Sequence, residues 1–329
     1  MKIVIVCKSK LPVLLYGGTQ RVVWYLGKEL AKQGHTIVFL AGKGSQSEFA
    51  EVIQINDDIS ILDQVPKDAD VVHFQSDPGG LNDFNIPYVI TMHGNVNVKC
   101  NFDRNTIFVS KNHASRYNSS SFVYNGMDWD EYITPNLENE RKNFHFLGNA
   151  SWKVKNLKGA IDVVKASRTE KLNVLGGVRF NFNMGIRFTF SPKISFAGMV
   201  GGAKKSELLN RSKGLIFPVK WHEPFGVALT ESLFYGCPVF GTPYGALPEI
   251  VTGDFGVLSN DHRELSEAIL NSGDFSKKRC HEYARDVFNS YQMSLGYLEK
   301  YNQVISGQKL NENSPCLLEV QENKYLDWK

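Results

Sequence analysis

A chain of 329 residues, 42% hydrophobic and 22% charged, holds enough apolar material for two globular domains, each with its own core. Its net charge of +3 is too small to mark a nucleic-acid binder. Cys7, Cys100, Cys237, Cys280 and Cys316 stand singly, without the close pairs of a zinc site or redox dithiol, which excludes those classes and fits a reduced, cytoplasmic protein.

Met1 leads straight into the apolar run KIVIVC, so no signal peptide is expected. No apolar run reaches membrane-spanning length, which limits any membrane contact to a peripheral one, at the inner face. KIVIVC, a glycine-bearing loop, a helix with Val22, Leu26 and Leu30 on one side, and then TIVFLAG form a β-α-β unit. ADVVHFQS, IPYVITMHG, TIFVSK and SSFVYNG continue as short apolar strands. The polar stretch NGMDWDEYITPNLENER, with Pro135 inside it, marks the end of a first domain at residues 1–133.

The same alternation then repeats. NFHFLGN, the helix KGAIDVVKAS, LNVLGG, ISFAGMV, the helix KSELLNRS, GLIFPV, the helix VALTESLF, CPVFGTP and FGVLS predict a second domain over residues 134–289. The fold class is therefore α/β, with two doubly wound Rossmann-like domains. The last helical pattern is interrupted at Asn289-Ser290 and Gly296, and residues 290–329 are expected to hold a terminal helix and a polar, loosely ordered tail.

The most specific motif is HEPFGVALTESLFYGCPVFGTPYGALPEIV, from His222 to Val251. Glu223 and Glu231 stand eight positions apart across a helix start, where Pro224 suits the entry turn and Phe225, Gly226 and Val227 bring backbone amides close to a ligand. Glu249 follows on a second glycine loop. The full run resembles the retaining GT-B glycosyltransferases of family 4, the glycosyl transferases group 1, whose signature is an acid, Pro-Phe-Gly and a second acid eight residues on. The resemblance extends from the first strand to about residue 305.

It implies two domains facing a cleft, a terminal helix that crosses back to the first domain near Asn289, and transfer of a sugar from a nucleotide sugar to a hydroxyl acceptor with retention at the anomeric carbon. In that reading Glu231 holds the ribose hydroxyls and Glu223 faces the sugar, with backbone contacts from Phe225, Gly226 and Val227. His93, closing the strand IPYVITM, touches the sugar, while Gly17, Gly18 and Arg21 in LLYGGTQRV lie near the diphosphate. Two adjacent glycines at a helix start do let amides approach a phosphate. The same loop lacks GxGxxG, which argues against an oxidoreductase using NAD.

One departure stands out. The family places an Arg after the Gly of FLGN, where this chain has Asn149. Lys155 and Lys158 flank the following helix start and together offer positive charge for the departing diphosphate, and Lys153 is a third candidate; the spacing leaves open which of them reaches it. They belong to a basic stretch from Ser151 to Lys171 that suits phosphate or an anionic surface. His73 and His222 are secondary candidates. The triplets Asp68-Ala69-Asp70 and Asp128-Trp129-Asp130 lie outside the context of a metal motif, so neither a metal nor another cofactor is expected.

The expected donor is a UDP-sugar, the acceptor a glycan, lipid-linked or small molecule, for example in envelope glycan or lipopolysaccharide synthesis. Acceptor contacts are expected on loops 42–49 and 76–84. The rival readings are a sugar phosphorylase or nucleotide-sugar epimerase on the same architecture, and a non-catalytic GT-B scaffold that binds a nucleotide sugar or glycan, kept open by Asn149.

Overall fold

The computed structural model describes residues 1–13, 17–182 and 187–329, Arg187 in its backbone only. Leu14, Leu15 and Tyr16 of the first glycine loop lie outside the described residues. Among the described residues the chain forms two compact units. One holds Met1–Val13, Gly17–Trp129 and Phe288–Gln321, and the other Asp130–Val287 and Glu322–Lys329.

In the first unit the strands are β1 (Lys2–Cys7), β2 (Thr36–Ala41), β3 (Glu51–Gln54), β4 (Val71–Phe74), β5 (Tyr88–Met92) and β6 (Thr106–Phe108), with helices α1 (Gly18–Lys32) and α2 (Lys111–Arg116). All pair in parallel in the order β3-β2-β1-β4-β5-β6. Their unbroken apolar runs follow from burial on both faces: Ile3, Val4 and Ile5 of β1 and Val38, Phe39 and Leu40 of β2 have no exposed surface. SSFVYNG forms no strand of its own. Phe122 makes a single bridge to Phe108 of the edge strand β6, with Phe108 N–H donating to Ser121 O and Val123 N–H to Phe108 O.

The second unit contains β7 (Asn143–Leu147), α3 (Leu157–Ala166), β8 (Leu172–Leu175), a hairpin of β9 (Phe180–Asn181) and β10 (Arg187–Phe188), β11 (Ile194–Gly198), α4 (Gly202–Asn210), β12 (Ser212–Phe217), α5 (Val227–Phe234), β13 (Val239–Gly241), α6 (Leu247–Ile250), β14 (Gly256–Leu258), α7 (His262–Leu270) and α8 (Lys277–Val287). Its parallel sheet runs β11-β8-β7-β12-β13-β14, so it repeats the strand order of the first unit. In both sheets the order reverses beside the first strand, and open α/β sheets bind ligands at that switch point, beyond the carboxyl ends of the strands. For the second unit this lies past Leu147 and Phe217.

The terminal helical pattern breaks where Asn289 stands. Its side chain accepts from Gln292 N–H and starts α9 (Ser290–Ile305), which packs on the first unit. The attachment is polar and buried: Tyr301 Oη lies 2.8 Å from His73 Nδ1, His73 Nε2 lies 2.7 Å from Thr91 Oγ1, and Tyr297 Oη lies 3.0 Å from Thr91. Gly296 does not break the helix; it brings α9 against Val123. The tail is packed, contrary to the loose order its polarity suggests. Leu317 joins Phe108, Ala114 and Tyr117 in an apolar cluster of the first unit. Trp328 packs on the core of the second.

Candidate functional site

The chain leaves β7 through Gly148 and turns at Asn149, whose side chain accepts from Ser151 N–H at 3.0 Å. Asn149 is thus committed to a local turn. A short 3-10 turn, Lys153–Lys155, ends at Asn156 in the left-handed region (φ 54°). Asn156 does two jobs: its Oδ1 accepts from Gly159 N–H at 3.1 Å to cap α3, and its Nδ2 donates to Pro218 O at 2.9 Å, tying the helix start to the end of β12. A side chain at Gly159 would collide with Asn156 and Trp328, which explains the Lys158-Gly159 pair as a packing requirement.

That geometry turns Lys155 inward. Its Nζ lies 2.6 Å from Glu223 Oε2 and 5.1 Å from the ring centres of both Phe217 and Trp221. Trp221 Nε1 donates to the same oxygen at 2.8 Å. Lys155 is 9% and Glu223 7% exposed, so the pair is largely withdrawn from water. Lys158 is exposed, and its charge, after burial, is a cause that lowers the Lys220 pKa. Lys153 is exposed as well. Glu223 itself is held by its backbone: Ala246 N–H donates to Glu223 O at 2.9 Å, and a Cβ on Gly245 (φ +63°) would strike Glu223 N and O. The TPYGALPEIV loop therefore needs its glycine to approach the HEPFG loop.

Gly226 (φ +89°) starts α5, and Phe225 and Leu229 are buried beside it. One turn further, Glu231 is 2% exposed and accepts on Oε1 from Lys205 Nζ of α4 at 2.5 Å and from Tyr132 Oη at 2.6 Å. Lys205 also lies 5.5 Å from the Tyr132 ring centre. Beneath α5, His145 sits between Ser212 Oγ (2.6 Å) and Ser232 Oγ (2.8 Å), and burial pushes its pKa down to about 3, so it is neutral. Glu249 stands on α6, and its charge is a secondary cause raising the Tyr283 pKa. His222 packs edge-on to Tyr244.

In the first unit, Gly17 (φ +147°) leaves no room for a Cβ against Gln20 and Val13. Gly18 begins α1, and Arg21 N–H donates to Gly17 O in its first turn. His93 follows β5, and its Nε2 donates to Gln75 Oε1 at 2.7 Å just past β4. Burial lowers its pKa to about 4. His73 is wholly buried and serves the attachment of α9.

Asp70 accepts from Lys2 N–H at 2.6 Å, Asp68 pairs with Lys2 Nζ, and Asp128 pairs with Lys28 at 2.8 Å near the end of α1. Lys205, Tyr132, Trp221 and Gln75 are the site neighbours that sequence reasoning passed over. Of these only Gln75 carried a signal, since it ends a strand as His93 does.

Residues 141–272 match the family described as glycosyl transferases group 1. A segment of 102 residues is 29% identical to a probable sucrose-phosphate synthase of Thermosipho melanesiensis, covering 29% of this chain and 24% of that protein. The chain thus spans about a quarter of the length of the curated relative it matches. Among solved structures, AviGT4, a glycosyltransferase involved in avilamycin A biosynthesis, superposes with a TM-score of 0.74 at 17% identity, covering 93% of this chain and 98% of that one. The sucrose-phosphate synthase of Thermosynechococcus elongatus gives 0.71 at 14% identity, covering 94% and 100%. Anabaena HepE in complex with UDP-glucose gives 0.65 at 14% identity, covering 92% and 100%. At these identities the likeness establishes the fold, which is the two-sheet GT-B architecture. No helix among the described residues is long and apolar enough to cross a membrane.

Proposed function

We propose, for a chain whose residues 141–272 carry the glycosyl transferases group 1 domain, that it is a retaining glycosyltransferase using a UDP-sugar as donor and a hydroxyl as acceptor. The observation that carries this reading is the buried Lys155–Glu223 pair at the switch point of the second sheet. A lysine held there meets the charge that develops on a departing diphosphate, and a site closed to water strengthens that interaction. Glu223 holds Lys155 in place before the donor arrives, and faces the sugar once the diphosphate competes for the lysine.

Phe225, Gly226 and Val227 supply backbone at the start of α5. Glu231, oriented by Lys205 and Tyr132, accepts from the ribose hydroxyls, which add to or displace those donors. Neutral His93 can hydrogen-bond the sugar without adding charge, and Gly17, Gly18 and Arg21 serve the diphosphate. In the reaction the bond from the anomeric carbon to the phosphate oxygen breaks and the acceptor oxygen bonds to that carbon from the same face. The acceptor proton passes to the departing phosphate. No metal is required in this scheme, because Lys155 and the amides carry the neutralisation.

Acceptors remain those of the class: a glycan, a lipid-linked sugar or a small molecule, with envelope glycan synthesis as the setting we favour. The complex of Anabaena HepE with UDP-glucose supports the choice of base and sugar by analogy of fold. The test is product stereochemistry. Incubation with UDP-glucose and an acceptor panel, followed by proton NMR of the new anomeric centre, is expected to show an α-linked product; a β-linked product refutes retention. Asn149, tied into a turn where the family has Arg, favours one second reading, a scaffold that binds the donor without turning it over. Donor affinity with no nucleoside diphosphate released by any acceptor would establish that alternative.

A further inference from the structure

Gln75 and His93 follow the carboxyl ends of the neighbouring strands β4 and β5, at the edge where open α/β sheets bind ligands. The backbone on both sides is fixed. Gln75 N–H donates to Val6 O at 3.1 Å. The loop after His93 is held by three side chains: His113 Nε2 donates to Gly94 O at 3.1 Å, Arg116 Nη1 donates to Asn95 Oδ1 at 2.9 Å, and Tyr117 Oη accepts from Val96 N–H at 2.7 Å and donates to Val96 O at 2.9 Å. What these contacts leave open is the state of the His93 imidazole itself.

One contact sets that state. A neutral imidazole carries its proton on one nitrogen, and the partner of the other decides which. Gln75 Oε1 can only accept, so its 2.7 Å contact puts the proton on His93 Nε2 and leaves the lone pair on Nδ1. Burial, which takes the ring's pKa down to about 4, keeps it neutral. Nδ1 has no hydrogen-bond partner among the described residues, and a Cβ on the adjoining Gly94 would meet nothing within 4 Å.

The cost of this arrangement points to its purpose. Gln75 Nε2 is buried and has no partner among the described residues. An apolar side chain at that position would strand no donor of its own, so what the amide brings in return is the single hydrogen bond to His93.

We propose that Gln75 is a positioning residue for the transfer, holding His93 as the Nε2–H tautomer so that Nδ1 accepts a hydrogen bond from a hydroxyl of the donor sugar. The sugar contact rests on the function proposed above; the control of the tautomer does not. Long-range proton–nitrogen NMR of the full chain labelled in histidine, at pH 8, reads the tautomer directly, with the His93 signals assigned by their loss in His93→Asn. Wild type is expected to show Nε2 protonated, Gln75→Leu to lose that preference, and Gln75→Glu, which keeps an acceptor, to retain it. Thermal melting checks that each variant folds. With UDP-glucose, kcat/KM for nucleoside diphosphate release is expected to fall about tenfold or more in Gln75→Leu, the worth of about one hydrogen bond, and to recover in Gln75→Glu. Three results overturn the proposal: a proton on Nδ1 in wild type, an unchanged tautomer in Gln75→Leu, or release by Gln75→Leu within about twofold of wild type. If wild type releases nucleoside diphosphate from no donor, the transfer reading fails, and the spectra alone decide the role of Gln75.

Discussion

Replacing Lys205 by Met tests the least expected feature of the site. Lys205 and Glu231 are 5% and 2% exposed and 2.5 Å apart. At an effective dielectric of about 20 the attraction is roughly 7 kcal/mol before desolvation is counted. Met retains the unbranched stem and removes the charge. Glu231 then stays buried with Tyr132 as its remaining partner of this pair of donors, and breaking a buried pair on one side costs about 3–5 kcal/mol. Adding Glu231→Gln removes the stranded charge and keeps an acceptor for Tyr132, so the double variant should cost about 2 kcal/mol or less. Urea denaturation of wild type, both single variants and the double variant gives the coupling, expected to be at least about 2 kcal/mol. A cost below about 1 kcal/mol for Lys205→Met, or two single costs that simply add, would refute the buried-pair reasoning.

Three further outcomes follow from the same geometry. Lys155→Met should lower turnover by about 10²–10³, while Lys158→Ala changes it less than about threefold, measured as nucleoside diphosphate release. Gly245→Ala forces a Cβ into the Glu223 backbone at φ +63°, and should cost about 2 kcal/mol or more in denaturation while weakening donor binding. Burial holds His73, His113 and His145 at about 3, well below the ordinary 6.5. The unfolded chain therefore takes up protons first, so stability is full above about pH 6.5 and falls as pH drops toward the folded values, by up to about 2 kcal/mol for each histidine at pH 5. Melting temperatures at pH 7 and 5 check this, and equal values would contradict it.

The alternation of apolar runs with helical periods made both sheets legible, because strands buried on two faces are apolar throughout. β3 escaped notice: EVIQ is a partly exposed edge strand with polar ends and no clear period. The β9–β10 hairpin, with strands of two residues, offers no run long enough to read. At the site, the acid spacing of Glu223 and Glu231 was visible, but the direction of each lysine was not. Whether Lys155 or Lys158 turns inward depends on the left-handed Asn156 that ends one turn and caps the next helix. Lys205 in KSELLNRS reads as a solvated helix residue, and Tyr132 lies in a polar connector; only the tertiary fold brings them to Glu231.

The central claim is that the second unit holds a nucleotide sugar at the end of its sheet. Calorimetric titration with a panel of nucleotide sugars, with and without magnesium, for wild type and Glu231→Gln, addresses it most directly. The account predicts selective binding of a UDP-sugar, unaffected by the metal and weakened at least tenfold in the variant. Absence of binding to every donor, or equal affinity in the variant, would contradict it.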